Sequence, residues 1–394
     1  MKNYILISQK LWFQEGPGVR KNQYTVDGVK LINVANLVDG KVDLSTSDRY
    51  VSNETAYGKY KHFLVDEGDF VIASSGIKVD YFDKKMGIIE KRHLPLCMNT
   101  STIRFKVLNE RELSIKYFMY YLKSNHFKEQ LTREITGSAQ LNFGPSHLKK
   151  MVFPYVPRVV QDKIVDILDQ IYKIEDALKS KAELLDKLVK SRFIKLFGDL
   201  SINPMKWPVM TFREFAKIDT QMIHNFSGYY EYPHIGIECI EKDTGVLSSY
   251  RTIKDDHVVS GKYWFTGKHI IYSKIRPNLN KVALPSFDGL CSADAYPILP
   301  KETVCSRYFL AYVMRSKFFL DYILAYSNRT NLPKVNKKQV EGFECPIPPL
   351  NLQKTFELII RQVDKSKYYR FKFISLCRKI VNIEEEMLCQ TLSF

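Results

Sequence analysis

Tyr117-Phe118-Met119-Tyr120-Tyr121, with Phe127 six residues on, returns as Tyr308-Phe309-Leu310-Ala311-Tyr312 with Phe318. The offset is 191 each time (308−117, 318−127). Further on, Pro154-Tyr155-Val156-Pro157 with Gln161 is matched by Pro346-Ile347-Pro348-Pro349 with Gln353, at an offset of 192 (346−154, 353−161). Upstream, Leu96-Cys97 can be set against Leu290-Cys291, and Asp69-Phe70-Val71-Ile72 against Lys268-His269-Ile270-Ile271. Half of the 394 residues is 197, so the repeat takes in nearly the whole chain. A period that long means duplicated domains, not a solenoid of small stacked repeats.

Each copy predicts the same internal order. Short β-like runs come first, such as Phe70-Val71-Ile72-Ala73 and His269-Ile270-Ile271-Tyr272, broken by Gly, Asn, Asp and Pro. A short aromatic helix follows, at 115–127 in the first copy and 306–319 in the second. Tyr117, Phe118 and Tyr121 lie at helical spacing in it and read as core, not as a stripe for stacking on bases. A Gly/Ser/Asn loop, a proline-bounded extended segment and a long helix close the copy.

The first long helix begins near Gln161 and carries Ile164, Leu168, Ile171, Ile174, Leu178, Leu185, Leu188 and Leu196, a period of about 3.5 that marks a coiled-coil seam. Gly198 and Pro204 end it. The second carries Phe356, Ile360, Val363, Phe373, Leu376, Ile380, Ile383 and Met387, with a weak patch at Lys365-Ser366-Lys367. A helix from 161 to 196 is about 50 Å long at 1.5 Å per residue. Two such helices can bury their stripes against each other and, running antiparallel, hold two domains apart as a ruler; in the plainer alternative each covers its own domain. The expected class is α+β, with two pseudo-repeated, β-rich domains at 1–157 and 201–348. Long helices at 158–200 and 349–394 follow them and pair as a coiled coil, for which the sequence pattern allows either relative direction.

With 45% hydrophobic and 13% aromatic residues the chain can build packed cores. No apolar run approaches a membrane span, and the first ten residues lack a signal-peptide pattern, so a soluble, cytoplasmic protein is expected. The seven cysteines (97, 239, 291, 305, 345, 377, 389) form no C-x-x-C pair, and an odd number argues against a disulfide framework. They read as small buried hydrophobes. Net charge is +16 and evenly divided: residues 1–200 hold 32 Lys+Arg against 24 Asp+Glu, and residues 201–394 hold 27 against 19, so each half is +8 (32−24, 27−19). Two similar basic bodies are implied, suited to a polyanionic partner. Charge alone fits DNA, RNA or an acidic protein equally.

Motifs for independent catalysis are missing. Neither Gly261-Lys262 nor Gly267-Lys268 is followed by the Ser or Thr of a phosphate loop, and Gly16-Pro17-Gly18 is a turn. The histidines show no H-E-x-x-H and no zinc spacing with cysteine, and no G-x-S-x-G elbow occurs. Asn203-Pro204-Met205 is not the Asn/Asp-Pro-Pro-aromatic loop of amino-methyltransferases. Asp66, Glu67 and Asp69, or Asp255 and Asp256, read as solvated loop charges in preference to metal ligands. No catalytic, cofactor-binding or metal-binding residue is therefore assigned.

Features suited to DNA are more positive. Ser273-Lys274-Ile275-Arg276-Pro277-Asn278-Leu279-Asn280-Lys281 packs cations and amides into a turn after a strand, with Lys274, Arg276, Asn278, Asn280 and Lys281 as candidates. Arg and Lys hold phosphates, while Arg reads guanine and Asn reads adenine in the major groove. Ser327-Asn328-Arg329-Thr330-Asn331 offers the same mixture through Asn328, Arg329 and Asn331. The first-copy counterparts are Ser74-Ser75-Gly76-Ile77-Lys78, with Ser74, Ser75 and Lys78, and Gly137-Ser138-Ala139-Gln140-Leu141-Asn142, with Ser138, Gln140 and Asn142. Recurrence at corresponding places favours recognition over ordinary polar surface.

Pro346-Ile347-Pro348-Pro349-Leu350-Asn351-Leu352-Gln353 and its looser copy from Pro154 to Gln161 now stand in a duplicated frame. So do Phe197-Gly198-Asp199 with Asn203-Pro204 and Trp207-Pro208, Glu15-Gly16-Pro17-Gly18-Val19-Arg20 with Gly28-Val29-Lys30, and Pro233-His234-Ile235-Gly236-Ile237-Glu238. In this order they resemble the specificity subunit of Type I restriction-modification systems over essentially the whole chain. The resemblance implies two target-recognition domains, each reading one half of a bipartite double-stranded DNA sequence, and an antiparallel coil that sets the spacer. It implies docking to two modification subunits, which bring S-adenosylmethionine and methylate adenine, and to restriction subunits that use ATP and Mg2+. None of that chemistry is expected in this chain. Ile164, Leu168, Ile171, Leu178, Leu185, Phe356, Ile360, Val363 and Ile380 are the expected coil and partner contacts. Phe153-Pro154-Tyr155-Val156-Pro157 departs from the pattern in lacking the double proline. Two other classes stay open: a stand-alone DNA-binding or anti-restriction module, and a coiled-coil protein-interaction scaffold. Co-purification separates the first, and salt-dependent DNA binding the second.

Overall fold

Phe70-Val71-Ile72-Ala73 has no polar member, and a strand of that kind must be covered on both faces. The computed structural model describes residues 4–134, 142–326, 333–366 and Phe373. In it Phe70–Ala73 is a fully buried inner strand of a four-stranded antiparallel sheet, in the order Leu11–Glu15, Thr102–Val107, Phe70–Ala73, Met86–Ile88. The chain divides into two compact units, Met1–Ala177 with Phe373–Phe394, and Leu178–Lys372. This division falls inside the long helix Arg158–Phe197, which the expected boundaries set apart as a separate segment.

Unit 2 rebuilds the same sheet from Ala216–Ile218, Ala295–Pro300, Ile270–Ser273 and Val282–Ala283. The parallel pair Val29–Ile32 with Leu96–Met98 recurs as Pro233–Ile235 with Gly289–Cys291. The pair Tyr4–Leu6 with Val152–Pro154 recurs as Val209–Thr211 with Glu344–Pro346. Leu31 lies opposite Cys97 and Ile235 opposite Cys291, so the Leu96-Cys97 match survives in three dimensions. The match drawn two strands earlier slips by a residue. Phe70 pairs with Phe105, and Ile270 with Ile298, at the same place in the sheet. The counterpart of Phe70 is therefore Ile270 and not His269; in a strand such a slip exchanges the two faces. Asp69 and His269 become equivalent instead. The Asp66 amide donates to the Asp69 carboxylate at 2.9 Å, and the Thr266 amide donates to His269 Nδ1 at 3.0 Å.

The aromatic helices are core. Ser114 caps Ile115–Lys123 by accepting from the Tyr117 amide, and Ser124 separates it from Asn125–Glu134. Phe118 is completely buried, with its ring 5.2 Å from Phe105 and 5.5 Å from Phe153. The Tyr117 and Tyr121 hydroxyls donate to the Pro154 and Val152 carbonyls at 2.9 and 2.6 Å, which satisfies their one polar atom inside an apolar site. Arg307–Arg315 and Lys317–Leu324 repeat the arrangement around buried Phe309 and Phe319.

The proline–glutamine junction works as a clamp. Gln161 is wholly buried at the start of Arg158–Phe197; its Oε1 accepts from the Ser114 amide (2.8 Å), and its Nε2 donates to Glu112 and Val156 carbonyls, both at 2.8 Å. Gln353 repeats every bond: its Oε1 accepts from the Ser306 amide (2.8 Å) and its Nε2 donates to Val304 (3.0 Å) and Pro348 (2.7 Å) carbonyls. Each long helix is thereby fastened to the first turn of its aromatic helix.

The buried face of Arg158–Phe197 differs in detail from the seam read in the sequence. Ile164, Val165, Leu168 and Tyr172 turn into the core of unit 1. Leu185, Val189, Phe193, Leu196 and Phe197 turn into that of unit 2. Ile171 and Leu178 are half-buried, whereas Ile174 and Leu188 are exposed, each 43%. A straight helix turns about 100° per residue, so a strict heptad stripe drifts off a core face that follows the 3.6-residue period. Val165 and Val189, each one residue past a predicted position or its neighbour, take up that drift. In unit 2, Phe356, Ile360 and Val363 of the helix at 350–366 enter the same core, with Phe356 5.2 Å from Phe193 and 5.5 Å from Phe197. The end of the first long helix thus meets the start of the second, as antiparallel partners do. Ile380 lies outside the described residues.

The link between helix and second sheet explains another motif. Gly198, with φ of +72°, ends the helix in a left-handed conformation that suits glycine. The Trp207 indole donates to the Phe197 carbonyl at 3.0 Å, filling one of the helix's orphan acceptors.

Candidate nucleic-acid interface

Two loops that the sequence offers separately in each copy are joined in each unit. In unit 1, Ser75 forms a β-bridge with Asn142, and the Phe143 amide donates to the Ser74 carbonyl at 3.0 Å. In unit 2, Ile275 bridges to Lys334, the Val335 amide donates to the Lys274 carbonyl at 2.9 Å, and the Arg276 amide donates to Pro333 at 2.8 Å. A loop leaving an inner strand must place its backbone polar groups somewhere. Here they go into a miniature ladder, which makes one edge of two loops.

Side chains along these edges divide into those that face solvent and those that hold the loop. Lys78, Asn142, Arg276 and Asn278 are exposed. Ser75 is half-buried, with its hydroxyl 2.6 Å from that of Ser101. Ser74 is buried, its amide donating to the Ser101 carbonyl. Asn280 is buried and donates to the Arg315 carbonyl at 2.9 Å, and the Lys281 ammonium donates to the Ile237 carbonyl at 2.7 Å. Ser74, Asn280 and Lys281 are therefore structural supports, not outward-facing readers. The Lys274 ammonium lies 5.0 Å over the Tyr296 ring; burial, and then the neighbouring Lys334 charge, hold its pKa below the ordinary lysine value. Ser138, Gln140, Asn328, Arg329 and Asn331 lie outside the described residues.

Arg276 and Asn280 flank the one-turn helix Pro277–Leu279, and both have φ of +49°. A left-handed conformation costs a non-glycine residue about 1–2 kcal/mol. It persists where surrounding bonds fix it, here the Arg276 amide to Pro333 and the Asn280 amide group to Arg315.

Four of the five acidic residues weighed as metal ligands are engaged otherwise. Asp66 pairs with Lys106, and buried Asp69 with Arg104 at 3.3 Å. Asp256 takes His234 at 2.8 Å and Arg251 at 2.9 Å, and Asp255 accepts from Thr252. Among the described residues no three His, Cys, Asp or Glu side chains converge on a possible metal position, and no helix is long and apolar enough to cross a membrane.

Sequence reasoning missed a cleft beside the unit 1 edge. Val38, Asp39, Gly76, Ile77, Lys78, Tyr81, Lys84 and Lys85 enclose about 380 Å³. Its signal was the stretch Tyr81-Phe82-Asp83-Lys84-Lys85, where an aromatic pair adjoins two lysines.

The family described as Type I restriction modification DNA specificity domain matches the chain twice, over residues 27–185 and 204–368. The EcoDI specificity subunit of Escherichia coli is 39% identical over 165 residues, which are 41% of this chain and 35% of that one. The MjaVIII specificity subunit of Methanocaldococcus jannaschii is 21% identical over 190 residues, 47% of this chain and 43% of that one. The chain thus matches less than half the length of these relatives. The crystal structure of a Type I restriction-modification S subunit from M. genitalium shares the fold. It aligns with a TM-score of 0.61 at 15% identity, covering 99% of this chain and 95% of that one.

Proposed function

Because the chain belongs to the family of Type I restriction modification DNA specificity domains, we propose that it is the non-catalytic, DNA-reading subunit of a Type I restriction-modification enzyme. The observation that carries this reading is the repeated edge: in each unit a loop leaving the inner strand is bridged to a second polar loop, Ser75 to Asn142 and Ile275 to Lys334. Each edge reads one half of a bipartite duplex sequence, and the long helices set the gap between halves. Two modification subunits dock on the chain and bring S-adenosylmethionine for adenine methylation; restriction subunits bring ATP and Mg2+. Contacts at two half-sites add their free energies, each wrong base pair costing about 1–3 kcal/mol. A stiff link between readers avoids the entropy loss of a flexible one.

Co-expression with the modification subunit encoded beside it, followed by mapping of methylated adenines, tests the proposal. The expected result is a split motif with a fixed gap. Failure of any partner to co-purify would favour a solitary DNA-binding module or a scaffold. In the same assay Arg276→Ala should relax one base position in one half of the motif, a loss of about 1–3 kcal/mol, while the other half and complex assembly stay intact. Unchanged base choice would remove Arg276 from the reading edge.

A further inference from the structure

The cleft of unit 1 has a chemistry of its own. Ile77 and Phe82 are buried anchors, and the Phe82 ring lies 5.4 Å from Phe127 and 6.1 Å from Phe143. On the short helix Val79–Lys84, Val79 packs against the same core, whereas Asp80, Tyr81 and Lys84 turn outward. Tyr81 is 54% exposed, and the Lys84 ammonium lies over its ring at 5.5 Å. Lys78 and Lys84 are exposed, and Lys85 is half-buried with its ammonium 3.4 Å from the Val34 carbonyl. Asp39 is the acid of the lining; nearby Asp83 is paired with Lys128 at 2.8 Å. Three ammonium groups against one carboxylate line an open basic recess on a backbone fixed from beneath, and Gly76 and Lys78 of the proposed reading edge belong to that lining.

Resting on the proposed function, we propose that this cleft grips the phosphate backbone of duplex DNA beside the half-site read by unit 1, with Lys78 and Lys84 as the phosphate contacts, Tyr81 as the wall that holds Lys84 in place, and Lys85 adding charge from its tethered position. Such contacts position the duplex and do not choose its sequence. The unit 2 counterpart of this segment is the three-residue turn Pro277–Leu279, flanked by Arg276 and by Lys281 tethered to the Ile237 carbonyl; it has no counterpart of Tyr81 and Lys84, so the Tyr81–Lys84 part of the grip belongs to unit 1.

Phosphate contacts have a signature that base contacts lack, because each releases counterions and steepens the dependence of affinity on salt by about 0.9 in the log–log slope. The test therefore needs no knowledge of the target. The full chain is titrated with a duplex of arbitrary sequence across a salt series, as wild type, as Lys78→Ala/Lys84→Ala, and as the control Lys163→Ala/Lys173→Ala, which removes the same charge from exposed positions on the long helix. The cleft variant should lose about two from the slope and bind more weakly, with the control unchanged. Equal slopes for wild type and cleft variant, or equal losses in both variants, would overturn the site while leaving DNA binding intact. A wild type that binds no duplex even at low salt would overturn the DNA-reading function itself, and this site with it.

Discussion

Gln353→Leu is expected to lower the stability of unit 2 by about 3 kcal/mol or more, and Gln161→Leu that of unit 1 by a similar amount. Leucine nearly matches glutamine in size, so packing changes little. What disappears is one acceptor and two donor bonds around a fully buried side chain. The Ser306 amide and the Val304 and Pro348 carbonyls are then left without this partner, and each buried orphan costs about 1–3 kcal/mol. Gln353→Glu separates hydrogen bonding from shape: its first oxygen can still accept from Ser306, but the second faces two carbonyl oxygens. It should also destabilise. Denaturant unfolding followed by tryptophan fluorescence resolves the two units in Trp→Phe backgrounds that keep only Trp12, in unit 1, or only Trp207 and Trp264, in unit 2. An unshifted Trp207/Trp264 transition in Gln353→Leu would show that the clamp contributes nothing. The same bonds join each long helix to its aromatic helix, so variants that still fold should also show looser helix starts.

That clamp marks how far the sequence can be read. Duplication was legible because the aromatic helices and proline–glutamine junctions are local and sit at nearly constant offsets. The glutamine's partners were not, because Ser114 and Ser306 lie 47 residues before it in both units, and only the fold brings them to hydrogen-bonding distance. The one-residue slip at Asp69 and His269 has a similar cause. Two chemically unrelated side chains fill one position by the same backbone bond, and apolar matching alone pulled the strand out of register. The heptad seam predicted the long helix and part of its buried face, Ile164, Leu168, Leu185 and Leu196, but not Val165, Val189 and Phe193, because the face answers to two separate cores. In the reading loops, residue type suggested the edge. It did not separate Arg276 and Asn278, which face solvent, from Asn280 and Lys281, whose polar groups bind backbone carbonyls.

Asp69→Ala is expected to destabilise unit 1 by about 3–5 kcal/mol, the loss typical when one member of a buried ion pair is removed. Asp69 and Arg104 are both buried, and the guanidinium also donates to the Leu64 and His62 carbonyls and to Gln14, with the Trp12 ring 5.0 Å away. Those neutral acceptors hold the arginine in place but leave its charge unbalanced once Asp69 is gone. Lys106, 3.5 Å from the same carboxylate, keeps its pair with Asp66. The net worth of the pair is a separate quantity, because desolvating both charges offsets much of their attraction. Unit 2 supplies the comparison: at the equivalent corner stand His269, 3.5 Å from the Asp219 carboxylate, and Pro297 in place of the arginine, and the sheet forms with the same strand order. Asp69→Leu/Arg104→Met should therefore be much less damaging than Asp69→Ala alone, and a double-mutant cycle read by Trp12 fluorescence gives the coupling. Should the double variant prove as unstable as the sum of its singles, the charge-imbalance account fails and the corner depends on packing. Asp69 immediately precedes Phe70–Ala73, and Ser74 and Ser75 immediately follow that strand. Loss of this pin should thus loosen the unit 1 reading edge before the unit unfolds, weakening one half of the split motif while the other persists.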